Sequence, residues 1–143
     1  MSRAVWLVMC FVILLIGSAM NELTAETTLY VAPGGNDSWS GRLREAKPDR
    51  SDGPLASLMG ARNAIRRLKS EGQTGAFRVL IAPGQYSIKE PLVLEPQDSG
   101  TADAPIIYEA MGREKPRFSG GRAITGWKKQ DDGVWVTTIP DVA

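Results

Sequence analysis

The sequence of 143 residues contains no histidine and a single cysteine, Cys10. The absence of histidine excludes Ser-His-Asp triads, histidine general bases and histidine metal ligands. Cys10 lies in an apolar run near the N-terminus that we expect to be removed. The remaining chain would then have no thiol for disulfides, thiolate metal sites or cysteine nucleophiles, which leaves carboxylates, lysine, arginine and tyrosine for chemistry.

An excess of charge of one sign is also absent. The chain has 17 Lys and Arg against 16 Asp and Glu, so its formal net charge is +1 at pH 7. Proteins that bind nucleic acids use a clustered positive surface to neutralise phosphates. The balanced charge therefore predicts that nucleic acid is not a partner.

No apolar run reaches the length of about 20 residues that a membrane-spanning helix needs. The longest run covers residues 4–16; it follows Arg3 and precedes two segments that could present a cleavage site, at residues 17–19 and 23–25. A positive residue, an apolar core and a small-residue site in this order are typical of a secretory signal peptide. We predict a signal peptide over residues 1–25, cleaved after Ala19 or Ala25. The mature protein is expected to be secreted, periplasmic or at the cell surface, without membrane attachment.

The next part of the chain, residues 26–75, predicts a strand, a long loop and a helix. Residues 28–32 are rich in β-branched and aromatic side chains and predict the strand, whereas residues 34–53 are rich in Gly, Asp, Asn, Ser and Pro and predict the loop. Apolar residues recur at helical spacing over residues 57–70, with Ser57 as N-cap and Gly72 as the stop. Basic residues in its last turns are expected to stabilise the helix rather than to bind a ligand.

From residue 76 to residue 143 the pattern changes to short apolar runs separated by turns. Five runs have the length of strands, at residues 77–82, 92–94, 106–108, 117–119 and 134–136, with corners at Pro83, Pro105 and residues 120–121. Alternate runs recur after about 25 residues, the length of one coil in a helix of parallel strands.

Several short segments in this order carry a family resemblance. They are YVAPGGNDSWSG (30–41), DGPLASL (52–58), APGQY (82–86), PLVL (91–94), DSGT (98–101), APIIY (104–108), FSGG (118–121) and ITGW (124–127). Together they resemble the N-terminal segment of secreted right-handed parallel β-helix proteins of the pectin-lyase-like class, from residue 29 to about residue 128. The resemblance implies a mainly β fold in which a strand and a capping helix precede the first coils of a truncated β-helix.

The resemblance also implies a function class, with polysaccharide or glycan as the partner. Such proteins include polysaccharide lyases, glycoside hydrolases and non-catalytic surface proteins, so enzymatic activity stays open. Their catalytic acids lie several coils downstream, and this chain has room for about two coils. We therefore expect the cap and first coils of a longer glycoside hydrolase-like protein, inactive alone. The alternative is a small exported carbohydrate-binding or surface module that completes its open β-helix end by self-association.

Three tryptophans, Trp39, Trp127 and Trp135, are the candidates for stacking on a sugar ring, with burial as the alternative for each. No cofactor is expected. Asp37, Asp49 and Asp52 are weak calcium candidates because calcium prefers oxygen ligands, but no EF-hand-like spacing supports a site. Capping of the helix N-terminus by Asp52 is the alternative. Asn36 begins a glycosylation sequon that also fits an Asx turn.

Hydrolysis of a glycosidic bond requires two carboxyl groups on either side of that bond. The acidic residues on or beside predicted strands show no pairing in the sequence, and we assign no catalytic residue among them: Glu90, Glu95, Asp98, Asp103 and Glu109. Lyase chemistry would need a base such as arginine or lysine that faces a uronate. Arg78 and Arg117 are of the right residue type, but no sequence pattern assigns either of them to this role.

Overall fold

The computed structural model describes residues 26–139, so the predicted signal peptide over residues 1–25 lies outside the described part. No helix among these residues has both the length and the apolar character needed to cross a membrane. Within residues 26–139 the fold is mainly β, as expected, with one α-helix and a short 3-10 helix at Pro96–Asp98. The elements are β1 (Thr27–Val31), α1 (Leu58–Ser70), β2 (Phe77–Ile81), β3 (Gly84–Ser87), β4 (Ile106–Ala110), β5 (Pro116–Ser119), β6 (Lys128–Lys129) and β7 (Trp135–Val136).

The first sheet consists of three parallel strands in the order β1-β2-β4. Its register aligns Leu29 with Val79 and Val79 with Tyr108. Because side chains alternate between the two faces of a strand, these apolar residues share one face, and α1 packs on it. The core consists of this face, the apolar side of α1, Leu55 of the loop and Tyr86 of β3. Its residues are Leu29, Val31, Leu55, Ala61, Ala64, Ile65, Leu68, Phe77, Val79, Ile81 and Tyr86.

The second sheet consists of β3 and β5, which are also parallel. Tyr86 of β3 lies opposite Phe118 of β5, and their rings stack with centroids 5.0 Å apart and an interplanar angle of 25°. The chain thus forms two strands, β2 and β3, and then two more that pair with them in the same order: β4 pairs with β2, and β5 pairs with β3. The described strands nevertheless form small separate sheets and do not close into a solenoid.

Helix α1 begins where the sequence predicts. The Ser57 hydroxyl accepts a hydrogen bond from the Gly60 amide at 2.9 Å, which is the expected N-cap. Asp37 adds a second anchor, because its Oδ1 accepts hydrogen bonds from the amides of Ala56 and Ser57. At the other end Gly72 adopts a φ of 93°, a left-handed conformation that ends the helix. The predicted cap role of Asp52 is wrong, since Asp52 bonds within the loop instead.

The long loop between β1 and α1 closes the outer edge of β1. The Tyr30 amide donates to the Gly41 carbonyl at 2.7 Å, and the Leu55 amide donates to the Tyr30 carbonyl at 2.8 Å. The loop is closely packed: a Cβ at Gly35 would lie 2.2 Å from the Leu55 carbonyl oxygen. This explains why a long segment without periodicity is nonetheless ordered.

Three expectations about the second half are corrected. Residues 92–94 form no strand, because no neighbouring strand pairs with them. The corner predicted at Pro83 is a bend in the structure, but strand β3 follows it directly, and the sequence pattern did not indicate this strand. The predicted repeat is too short, since Phe77 pairs with Ile106 and Gly84 with Pro116, and both of these spacings exceed the expected length of one coil.

Candidate functional site

The basic face of α1 binds the loop that follows β3. Arg62 donates to the Val93 carbonyl at 2.6 Å, and the Lys69 ammonium donates to the Gln97 and Ser99 carbonyls at 2.9 and 2.8 Å. The sequence predicted that basic residues here stabilise the helix. In the structure they bind backbone oxygens of the segment between β3 and β4, so this face is occupied and is not a free surface for a charged ligand.

Arg66 of α1 forms ion pairs with two acidic residues of this segment. Its guanidinium donates to Asp98 at 2.6 and 2.7 Å and to Glu95 at 2.8 Å. The hydrogen bonds from Arg66 lower the pKa of Asp98 from 3.8 to about 2. A general acid in glycoside hydrolysis needs a raised pKa. The pKa of Asp98 is lowered instead, so Asp98 is not suited to that role.

A second arginine holds two acids on the outer face of the first sheet. Arg78 donates to Glu26 and Glu109 at 2.7 and 2.6 Å. These hydrogen bonds raise the pKa of Arg78, which makes it unsuitable as the base of a lyase. Arg117 is exposed on β5 and Asp103 is exposed in a loop, and Glu90 lines a small cleft described below. Of the five acidic residues weighed in the sequence, Glu95, Asp98 and Glu109 are thus bound to arginines.

The three calcium candidates each bond to their own surroundings. Asp37 binds the amides before α1, while Asp52 accepts from the Ser40 amide and hydroxyl, both at 2.8 Å. Asp49 accepts from the Ser51 amide and hydroxyl, and these hydrogen bonds lower the pKa of Asp49. Within the described residues no group of three or more acidic side chains could hold a metal ion. The Asx turn predicted at Asn36 is confirmed, since its Oδ1 accepts from the Ser38 amide.

A cleft of about 60 Å³ lies between the start of α1 and the second sheet. Its walls are mostly apolar, with Leu58, Ile88 and Phe118 among them, and Glu90 is its one acidic residue. Pockets that bind small molecules usually measure about 300–1,000 Å³, and one water molecule takes about 30 Å³ of liquid. The cleft is therefore too small for a sugar ring.

The last described segment is an antiparallel hairpin of β6 and β7, in which Lys129 pairs with Trp135. Its turn lies at residues 131–133, where Gly133 has a φ of 88° and its amide donates to the Gln130 carbonyl. Trp135 is 59% exposed. Lys129 and Trp135 share one face because residues directly opposite in a pair of strands point the same way.

Trp127 is the residue immediately before β6 and is 50% exposed. Its indole nitrogen donates to the Ile124 carbonyl at 3.1 Å, which fixes one edge of the ring. Trp127 lies outside β6, so this hydrogen bond and not strand pairing positions its ring. The face of the hairpin opposite Lys129 and Trp135 borders a concavity of about 380 Å³ that polar residues such as Thr125, Lys128 and Gln130 line.

Trp39 differs from the other two tryptophans because it is only 8% exposed. It lies under the long loop, where a Cβ at Gly53 would come within 2.7 Å of its ring. Burial leaves little of its face for a sugar. The two tryptophans of the hairpin region are thus the sequence-predicted stacking candidates that the structure leaves accessible.

Comparison with known proteins gives one informative result. No protein-family model matches the chain, and no curated protein matches it. A solved structure described as "Glycoside hydrolase" does match, with a TM-score of 0.59 and 32% sequence identity. The chain is similar to a glycoside hydrolase. The match covers 73% of this chain and 17% of the glycoside hydrolase, so the chain spans less than a fifth of that protein.

This similarity supports a glycoside hydrolase-like relationship over the shared segment. At 32% identity and a TM-score of 0.59 the two chains share more than a general class of fold. Because the shared segment is a small part of the glycoside hydrolase, the catalytic machinery of that protein is not transferred to residues of this chain. The ion pairs of Arg66 and Arg78 instead serve the packing of the segment.

Proposed function

We propose that this chain is the N-terminal part of a carbohydrate-active protein of the glycoside hydrolase type, with its catalytic groups outside residues 26–139. The similarity to a glycoside hydrolase carries this proposal. We further propose that β1 and α1 form the cap, and β2 to β5 the opening coils, of a right-handed parallel β-helix. The parallel pairing of β2 with β4 and of β3 with β5 supports coils, because successive coils of a solenoid stack equivalent strands.

The arrangement of acidic side chains supports the placement of the catalytic groups elsewhere. Glu95, Asp98 and Glu109 are all bound to arginines, and the hydrogen bonds from Arg66 lower the pKa of Asp98, which makes Asp98 a poor proton donor. Glu90 lines a cleft too small for a sugar ring. The purified chain is therefore expected to be inactive.

The test is release of sugar from a broad panel of plant and algal polysaccharides, with both reducing ends and unsaturated uronates measured. We expect no release above that of a heat-treated sample. Variants Glu90→Gln and Asp103→Asn separate a real activity from a contaminant, because a contaminant is unaffected by either. Release that falls in one of these variants would show that catalysis resides in this segment and would refute the proposal.

A second candidate function is that of an exported carbohydrate-binding module without catalysis. The exposed Trp127 and Trp135 favour it, since exposed aromatic rings can stack on the apolar faces of sugars. Affinity electrophoresis in gels containing single polysaccharides tests it. Replacing either tryptophan by alanine is expected to weaken retardation by about 3- to 10-fold in Kd. Val134→Ala is the matched control, because Val134 is an equally exposed apolar residue of the same hairpin.

Both candidates include export. We propose that residues 1–25 are a signal peptide and that the mature protein is secreted, periplasmic or at the cell surface. Mass spectrometry of the protein recovered from an exporting host would give an N-terminus at Met20 or Glu26. An N-terminus at Met1 in that fraction would contradict this part of the proposal.

A further inference from the structure

The sequence contains two Asp-Gly pairs, Asp52-Gly53 and Asp132-Gly133. An aspartate before glycine is prone to isomerisation, because glycine has no side chain to block access to its amide nitrogen. The glycine nitrogen attacks the aspartate Cγ, the carboxyl hydroxyl leaves as water with the proton of that nitrogen, and a succinimide forms. Water then opens the ring. When the bond between the main-chain carbonyl carbon and the glycine nitrogen breaks, the product is isoaspartate.

The long loop fixes both the main chain and the side chain at Asp52-Gly53. The Asp52 carboxylate accepts hydrogen bonds from the Ser40 amide and hydroxyl, both at 2.8 Å, and from the Gly53 amide at 2.9 Å. The Lys47 amide donates to the Asp52 carbonyl at 2.8 Å, and Gly53 is buried against Trp39. Closure of the succinimide ring requires rotation about the bonds of the aspartate, which would break these contacts.

The charge state of Asp52 opposes the reaction as well. The hydrogen bonds from Ser40 lower the pKa of Asp52, so its carboxyl group stays ionised. Ring closure proceeds from the protonated carboxyl group, whose hydroxyl is the group that leaves. The fold therefore protects this Asp-Gly pair in two ways.

Asp132-Gly133 lies in the turn between β6 and β7, where the restraints are different. Both residues are exposed, and a Cβ placed on Gly133 would meet no atom within 4 Å. The Asp132 carboxylate accepts a hydrogen bond from the Val134 amide at 3.0 Å, and no described residue outside the turn donates to it. This Asx turn folds the carboxyl group back over the peptide that links Asp132 to Gly133, whose nitrogen is the attacking atom.

The hairpin around this turn has little to hold it closed. Strands β6 and β7 have two residues each, and residues 120–136 are all exposed. A short two-stranded hairpin is marginally stable in water. The hydrogen bond from the Gly133 amide to the Gln130 carbonyl, at 2.9 Å, therefore opens more readily than the bonds of the packed loop. Its opening frees the Gly133 nitrogen.

We propose that Asp132 is a site of spontaneous isomerisation to isoaspartate, and that the long loop protects Asp52 from the same reaction. Isoaspartate carries the main chain through the side-chain carboxyl group and so adds one methylene to the turn. Because the turn fixes the register of a hairpin, modified chains would lose the pairing of Lys129 with Trp135. The inference does not depend on the proposed function, since it rests on the two Asp-Gly pairs alone.

Peptide mapping of the stored protein tests the proposal, with Asp52 as the reference inside the same chain. The purified full chain is kept at neutral pH for several weeks and digested with trypsin, which separates residues 51–62 from the peptide that begins at Gln130. Isoaspartate in each peptide is measured by enzymatic carboxyl methylation and by fragment ions. We expect at least about tenfold more isoaspartate at Asp132, because each hydrogen bond of a charged carboxylate that must break at Asp52 slows ring closure by such a factor.

Two variants and one change of conditions complete the test. Asp132→Glu should abolish the signal, because glutamate would have to close a larger ring, whereas the matched control Asp131→Glu should keep it. In urea, where the loop no longer protects Asp52, the two peptides should reach similar levels. Equal levels in the folded chain, or no isoaspartate at Asp132, would overturn the proposal. A difference that persists in urea would do so too, because local sequence and not the fold would then be its cause.

Discussion

The hydroxyl of Tyr86 joins two parts of the fold that are far apart in sequence. It donates to the Ala82 carbonyl at 2.8 Å and lies 3.2 Å from the Val31 carbonyl, so it ties the end of β1 to the corner between β2 and β3. Tyr86 is 5% exposed. Tyr86→Phe would leave the ring in place and remove only this link.

The contacts of the Tyr86 hydroxyl determine how far Tyr86→Phe should lower the free energy of unfolding. The Val31 carbonyl also accepts from the Ala82 amide at 2.8 Å, so it keeps a partner after the substitution, whereas the Ala82 carbonyl loses a short bond. A buried hydrogen bond of this kind contributes about 1–1.5 kcal/mol. Tyr86→Ala would in addition remove the buried ring and its stack on Phe118, for a total of about 3–5 kcal/mol.

Urea unfolding followed by tryptophan fluorescence measures both effects, because the buried Trp39 reports on the folded core. We expect the midpoint of Tyr86→Phe to fall by about 0.5–1 M. Tyr30→Phe is the control: Tyr30 is half-buried and its hydroxyl makes no hydrogen bond to any residue between 26 and 139. If Tyr86→Phe matched Tyr30→Phe, or cost as much as Tyr86→Ala, the assigned link would be refuted.

Three further predictions concern the loops. Gly35→Ala should lower the free energy of unfolding by about 1–3 kcal/mol because its Cβ would meet a backbone oxygen, whereas Gly34→Ala, in open space, should have little effect in the same urea assay. The pKa of Asp98 is lowered from 3.8 to about 2, so its contribution to stability is present above pH 4 and is lost as the pH falls toward 2. Asp98→Asn should therefore flatten the acid dependence of the unfolding free energy, and an unchanged dependence would contradict this cause. Arg66→Gln should speed amide exchange in residues 93–99, and equal exchange in the exposed neighbour variant Arg67→Gln would contradict the role of Arg66.

The helix and the first strands could be predicted from the sequence because their signals are local. Ser57 caps α1 with its own hydroxyl, and the spacing of apolar residues in α1 is visible without knowing what packs on them. Strand β3 could not, since Gly84 to Ser87 has no alternating apolar pattern. Its strand conformation depends on pairing with β5, which follows only after the 3-10 helix and β4. Residues 92–94 are the opposite case: they have the apolar pattern of a strand, but they form none because no other strand pairs with them.

The role of the acidic residues could not be predicted for the same reason. Whether a carboxylate serves catalysis or structure depends on which group faces it, and the partner of Asp98 is Arg66, on a helix that precedes it by two strands. The helical spacing of Arg62, Arg66 and Lys69 did indicate a basic stripe, and the acids of the 3-10 helix indicate a matching segment. Their opposite charges could have suggested that these two segments interact. The sequence does not show, however, that they lie close together in space.

The same partners limit where carbohydrate chemistry could take place on this segment. A site that cleaves a glycosidic bond needs one protonated and one charged carboxyl group across an open groove. Here Asp98 is held charged by Arg66, and Arg78 occupies the outer face of the first sheet between Glu26 and Glu109. These carboxylates and arginines are thus already bound to each other. If one carboxylate left its arginine to take part in catalysis, the arginine would lose its partner. The hairpin with Trp127 and Trp135 belongs to neither network, so the two exposed tryptophans remain the proposed candidates for sugar contact on this segment.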